Sequence, residues 1–250
     1  MTKIEMRSRR RQEVKARAKQ PDHMYSYCRA VGCGKPARAG TSDGLDTRYC
    51  RSHAEHFQRH GSPFKRSYTG KELAPYRRAA LAWLKANAEQ LIVRNAIDRV
   101  TGLYRGAGPH IEAFRLRGLP PADRAKAHWA RMRKAEVDPI QVVSAWLSVE
   151  LIIADDPQPL STNEFRHVQA AKIVHRMASG THKRWEREVP DPAWAGRRSK
   201  VVVDEKHWYP RSRGRVLRHI GEDLERAVEL LSQHHLGDIA EFKRRGGETR

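Results

Sequence analysis

Three thiols and one imidazole stand at metal-ligand spacing in Cys28-x4-Cys33-x16-Cys50-x2-His53, and these are all the cysteines of a 250-residue chain. Zn²⁺ takes thiolate and imidazole ligands four at a time in structural sites, and a chain supplies them as short pairs separated by a longer loop. Gly32 and Gly34 flank Cys33, where the backbone must turn around an ion, and Gly40, Asp43 and Gly44 mark a turn before the second pair. Cys50 and His53 are neighbours on the first turn of a helix expected to run on through Ala54 to His60 and to stop at Gly61-Ser62-Pro63. Four protein ligands leave no open position for a catalytic water, so the expected role of zinc is structural. His56 and His60, further along the same helix, are alternative fourth ligands. The competing reading makes the cysteines small buried hydrophobes that cluster by accident.

Charge points to the partner. Lys and Arg number 49 against 29 Asp and Glu, a formal net charge of +20, and the pI is about 10.4. That balance is the electrostatic footprint of a nucleic-acid binder. It is densest in the first twenty residues, where Arg9, Arg10 and Arg11 lead into Lys15, Arg17 and Lys19. Such an arm reads as a phosphate-binding segment that releases counterions on a duplex, with a merely solubilising tail as the alternative. The arm has no apolar core segment, so no signal peptide is expected. The longest apolar-rich stretch, Val142 to Ala154, carries Ser144, Ser148 and Glu150 and is too short to span a bilayer. An odd cysteine count confined to one cluster fits a reducing, cytoplasmic setting, at the nucleoid if the source is bacterial.

The elements that must position these groups are mostly helical. One long helix is expected from Thr69 to about Tyr104, with Leu84, Ala88, Leu91, Ile92, Ala96, Val100 and Leu103 as its apolar stripe. Pro121 fits a first-turn start for a basic helix to Ala135, and Ile140 to Ala154 is apolar around most of its circumference and should be buried. Ser161-x-x-Glu164 reads as a capping box for a helix ending before Ser179-Gly180. Thr181 to Lys206 is expected to be irregular apart from a brief strand at Val201 to Val203. A last long helix runs from about Ser212 to His235, with Asp238 capping a short one after it.

Other chemistry is thinner. The helices at 121–135 and 139–154 do not make a usual helix-turn-helix, because the second is the most apolar in the chain and the basic one comes first. Arg131, Arg133 and Lys134 on that basic helix, and Arg211, Arg213 and Arg215 at the start of the last, are candidate phosphate contacts. A PD…D-x-K pattern at Asp191, Asp204 and Lys206 is the one formal nuclease signature, and it normally requires a mixed sheet. No catalytic residue is assigned.

Tyr49-Cys50-Arg51-Ser52-His53 followed by Phe57-Gln58-Arg59-His60-Gly61-Ser62-Pro63 resembles the small zinc-binding module of phage and mobile-element proteins, often found beside HNH-type endonuclease domains. The resemblance covers about residues 28–66 and implies Arg51, Arg59, Lys65 and Arg66 as phosphate contacts around the metal. No segment resembles the nuclease's own ββα-metal motif. The expected architecture is mainly α: a basic arm over 1–22, a treble-clef-like zinc knuckle over 23–68 and an α-helical bundle over 69–250. The expected function is that of a zinc-containing DNA-binding protein with a regulatory or accessory role. A metal-dependent nuclease and an RNA-binding protein are the alternatives, and the bundle is a possible surface for a protein partner or a second copy.

Overall fold

The computed structural model describes Gln12 and residues 27–37, 39–41, 44–116, 118–158, 162–178, 180–190, 199–210 and 214–248. It is mainly helical, with the cysteine cluster ahead of the bundle. The cluster region begins with a bridge between Tyr27 and Pro36. It continues through a short hairpin, β1 (Ala39–Thr41) and β2 (Gly44–Asp46), into α1 (Arg51–His60).

The bundle opens with α2 (Gly70–Ala86) on a reciprocal cap: Thr69 Oγ1 accepts from the Glu72 N–H, and Glu72 accepts from the Thr69 N–H at 2.6 Å. The single helix expected to Tyr104 is in fact two, α2 and α3 (Leu91–Gly106). The Asn87 amide donates to the Trp83 carbonyl at 2.9 Å and its oxygen accepts from Gln90, which ends one helix and starts the next. The apolar stripe is therefore reset: Leu91 lies exposed, while Val93, Ala96 and Val100 enter the core beside Trp83 and Leu84.

After a 3-10 turn at Ala113–Leu116, α4 (Pro121–Lys134) starts on its proline as expected. Asp138 caps α5 (Pro139–Asp155) by accepting from the Ile140 N–H at 3.0 Å. Helix α5 is buried on nearly every side, from Ile140 to Ile153. In α6 (Asn163–His175) the cap is Thr162, which accepts from Phe165, rather than Ser161, which lies outside the described residues. The last helix, α7 (Arg215–Glu248), does not stop at His235. Asp238 pairs with His235 at 2.8 Å inside it, and buried Ile239 carries the apolar face onward. Helix α7 packs along α2 through α6, and at its crossing with α6 a Cβ on Gly221 would lie 2.3 Å from His167 Cβ, so only glycine fits.

The largest departure from expectation is the segment after Gly180. Instead of an irregular loop it forms an antiparallel ribbon of β3 (Thr181–Pro190) and β4 (Ser199–Trp208), paired from Thr181 with Trp208 to Pro190 with Ser199. Ten residues per strand make a projection of roughly 33 Å. Its root is tied to the body by Thr181, whose hydroxyl donates to Glu112 at 2.6 Å and accepts from the Ala113 N–H at 2.7 Å.

Between α4 and α6, His128 and His175 stack at 5.2 Å, 11° from parallel. Burial, reinforced by the charges of nearby His175 and Arg131, holds His128 well below the usual imidazole range. Burial likewise brings His175 down to about 4, with Arg131, Arg124 and Arg176 adding to the effect. In the unfolded chain both titrate near ~6.5, so above that pH both states are neutral and neither residue costs stability. Below it the unfolded chain takes up protons that the folded one refuses, and stability falls as pH drops from about 6.5 toward about 4, by ~1.4 kcal/mol per pH unit for each histidine. Calorimetric melts across that window should show the decline, and His175→Gln should flatten it relative to that variant's own stability at neutral pH.

Candidate functional site

Backbone geometry brings the four ligand candidates together. Cys28 donates its N–H to Lys35 O at 2.8 Å and Cys33 donates to Ala30 O at 3.0 Å, closing a knuckle around the first pair. Gly32 sits inside it at φ 76°, which favours glycine. Cys50 is the N-cap of α1, with its side chain making no cap bond and so left for the cluster. His53 follows on the first turn.

A tetrahedral ion with metal–sulfur bonds of ~2.3 Å and metal–nitrogen bonds of ~2.0–2.1 Å sets its ligand atoms ~3.8 Å apart for two sulfurs and ~3.6 Å for sulfur and nitrogen. His53 Nδ1 lies 3.3 Å from Cys28 Sγ and 3.4 Å from Cys50 Sγ, and Cys33 Sγ lies 4.0 Å from Cys50 Sγ. All four ligand atoms fall within 4.8 Å of one another. The cluster is thus geometrically suited to a metal ion. Burial pushes the Cys28 thiol up. Burial acts the same way on Cys50, but the Ser52 hydroxyl, the His53 backbone N–H and the neighbouring thiols outweigh it and bring Cys50 down to about 6, favouring the thiolate that binds metal.

The alternative ligands are committed elsewhere. His56 Nδ1 is 2.8 Å from the Ser62 carbonyl, and His60 Nδ1 accepts from the Ser67 N–H at 2.9 Å. Burial, together with the charges of Lys172, His56 and Arg59, lowers His60 to about 4. Other bonds dock the module on the bundle. Gln169 donates to His60 O at 2.8 Å, and Arg218 pairs with Glu164, reaches Phe57 O at 3.1 Å and lies over the Phe57 ring.

Gly61 closes α1 at φ 76°, and a Cβ there would sit 2.7 Å from Glu164 O and 2.9 Å from Phe165 Cα. Gly61→Ala should therefore destabilise the protein by about 2 kcal/mol or more, through strain at the cap and separation of α1 from α6. Thermal denaturation of the metal-loaded protein reads this directly.

The basic residues expected to contact phosphate divide sharply. Arg9, Arg10, Arg11, Arg211 and Arg213, with Asp191 of the nuclease pattern, lie outside the described residues. Arg51, Arg59, Arg66, Lys134 and Arg215 are exposed. The first three make surface ion pairs with Glu55 or Glu72, a kind of pair that leaves a cation free to exchange partners. Three others are engaged within the fold. Lys65 is held by Asp156 and by the Gln158 carbonyl at 2.6 Å. Arg133 ties off the end of α3 by donating to Tyr104 O at 2.8 Å and to Gly108 O at 2.6 Å. Arg131 is 4% exposed and cannot lie on a surface phosphate backbone.

The ribbon supplies what sequence reasoning missed. Side chains alternate across a strand, so the register sorts them onto two faces. One carries Lys183, Arg187, Lys200 and Lys206 against a single carboxylate, Asp204, together with Trp185 and Trp208. The other carries Glu186, Glu188 and Glu205 against Arg184, with His182 and His207. On the basic face Lys183 lies 5.7 Å from the Trp185 ring and Lys206 4.7 Å from Trp208, so cation and aromatic alternate along it. Asp204 accepts from Arg187 at 2.6 Å on an exposed strand, which is unlike the buried sheet a metal-dependent nuclease uses. On the opposite face His182, Glu205 and His207 form a second, fully exposed group with donor atoms close enough for an ion.

No protein-family model, curated protein or solved structure matches the chain. Fold and site together define a mainly helical protein with a Cys3His cluster suited to a metal ion. Among the described residues no helix is long and apolar enough to cross a membrane.

Proposed function

We propose that this chain is a zinc-containing DNA-binding protein that engages duplex DNA with the basic face of its β-ribbon. The observation that carries the reading is the asymmetry of that ribbon: four cations and two exposed tryptophans share one face, and the carboxylates gather on the other. A two-stranded ribbon fits the ~12 Å major groove of B-DNA, where lysines reach phosphates and aromatic rings meet base edges. The major groove of A-form RNA is too deep and narrow for it, which favours DNA over RNA.

Zinc is the ion proposed for the cluster, since three thiolates and one imidazole at tetrahedral spacing suit it. All four donors come from the chain, so the metal braces the knuckle against α1 and takes no part in a reaction. The resemblance of this module to those of phage and mobile-element proteins supports a regulatory or accessory role beside DNA. Three free cysteines fit a reducing compartment such as the cytoplasm. Fluorescence anisotropy with duplex DNA, single strands and structured RNA at one fixed salt concentration tests the reading: duplex should bind most tightly, and equal or weaker binding of duplex would refute it.

A further inference from the structure

A cavity of about 470 Å³ opens where the C-terminal end of α4 meets the 3-10 turn and the root of the ribbon. Its walls include Arg131 and Lys134 from α4, Phe114 from the turn, His110 and Glu112 from the segment before it, and Lys183 from β3. Arg131 is the unusual member. Its side chain is buried, yet Nε and Nη1 have no hydrogen-bond partner, and Nη2 meets only His128 Nδ1 at 3.3 Å. His128 is held neutral by burial and offers no counter-charge.

The one carboxylate in the wall is already engaged. Glu112 faces His110 at 3.5 Å and Lys134 at 3.8 Å, and accepts from Thr181 at 2.6 Å. A buried guanidinium with unused donors and no carboxylate carries a heavy desolvation penalty unless an anion completes it. Burial, with the charge of Arg124 beside it, pulls Arg131 down to about 10, as expected of an uncompensated cation. His110 Nδ1 is a further buried nitrogen without a partner.

The wall thus sets three cations against one carboxylate. The guanidinium fork matches the geometry of phosphate oxygens, and the two ammonium groups add charge. The cavity is larger than a phosphate requires and lies in the range of small-molecule sites. Phe114, whose ring lies 6.3 Å from that of Trp208, gives it an aromatic wall.

We infer that this cavity binds a phosphorylated nucleoside, with the phosphate against Arg131, Lys134 and Lys183 and the base against Phe114. The group arrives either as a free mononucleotide or as the 5′-phosphorylated end of a strand. The site is independent of the metal cluster. It shares Lys183 with the ribbon's basic face, and Lys134 reaches it from α4, off the ribbon.

Isothermal titration of the full-length chain tests this with adenosine 5′-monophosphate, adenosine, and a dinucleotide with or without a 5′-phosphate. The monophosphate should bind at least about tenfold more tightly than adenosine, and the 5′-phosphorylated dinucleotide more tightly than its 5′-hydroxyl form. Whichever phosphorylated probe binds more tightly identifies the source. Lys134→Gln, on an exposed side chain off the ribbon, should weaken both by about tenfold. Arg131→Gln should lose the monophosphate while melting no lower than the parent, because it removes an uncompensated buried charge. Adenosine binding as well as its monophosphate, or neither phosphorylated probe binding at millimolar concentration, would overturn the inference, as would an unaltered affinity in Lys134→Gln.

Discussion

Cys50→Ser should release the metal and unfold residues 27–60 while the helical bundle stays folded. The module's own core consists of Cys28, Ala30 and Cys50, with Cys33 and Tyr49 against it. A cluster so small cannot offset the conformational entropy of ordering its loops, and in such modules the metal supplies the folding free energy, on the order of 10 kcal/mol. The bundle has a separate core built on Trp83, Trp129, Trp146, Phe165, Leu217 and Leu224. Elemental analysis should find about one equivalent of zinc on the parent and much less on the variant. Hydrogen exchange should then show lost protection in the knuckle and α1, with α5 and α7 unaffected. A metal-free parent with full protection over residues 27–60 would contradict this.

The second large effect concerns the ribbon. Combining Lys183→Gln, Lys200→Gln and Lys206→Gln removes three exposed cations from one face without touching a buried group. Each phosphate contact contributes ~0.9 to the slope of log affinity against log salt. The slope for duplex DNA should therefore flatten by about 2.7, and affinity near ~0.1 M salt should fall by about 10²–10³-fold. Glu186→Gln with Glu188→Gln, on the opposite face of the same strand, should bind as well as the parent or better. Equal losses from the two sets would mean that the ribbon acts only through its fold.

The contrast between these sites shows what the chain's letters reveal. The Cys3His cluster was legible because ligand chemistry demands rare residue types at short spacings, and Cys28, Cys33, Cys50 and His53 meet that demand. Helix starts at Thr69 and Pro121 were legible because such signals are local. The ribbon was not, because a strand exposed on both faces has no apolar alternation; Lys183 to Glu188 and Asp204 to Lys206 look like loop. The break at Asn87 was hidden for a related reason: an amide that caps its own helix resembles any polar surface residue until its bond to Trp83 O is seen.

Charge was legible in amount and not in use. Arg133 and Lys65 each look like a phosphate contact in sequence, and each spends donors on carbonyls or a carboxylate within the fold. Arg131 is the instructive exception, a cation drawn inside with donors left over. Counting cations cannot separate these roles, since each depends on which carbonyl or cavity the fold brings near.

Photo-cross-linking of the zinc-loaded protein to duplex DNA, with the linked residues mapped by mass spectrometry, tests the central claim most directly. Cross-links are expected on Trp185, Lys206 and their neighbours on the basic face of the ribbon. Cross-links confined to the helical bundle or to the acidic face around Arg184 and His207 would contradict the proposed mode of binding.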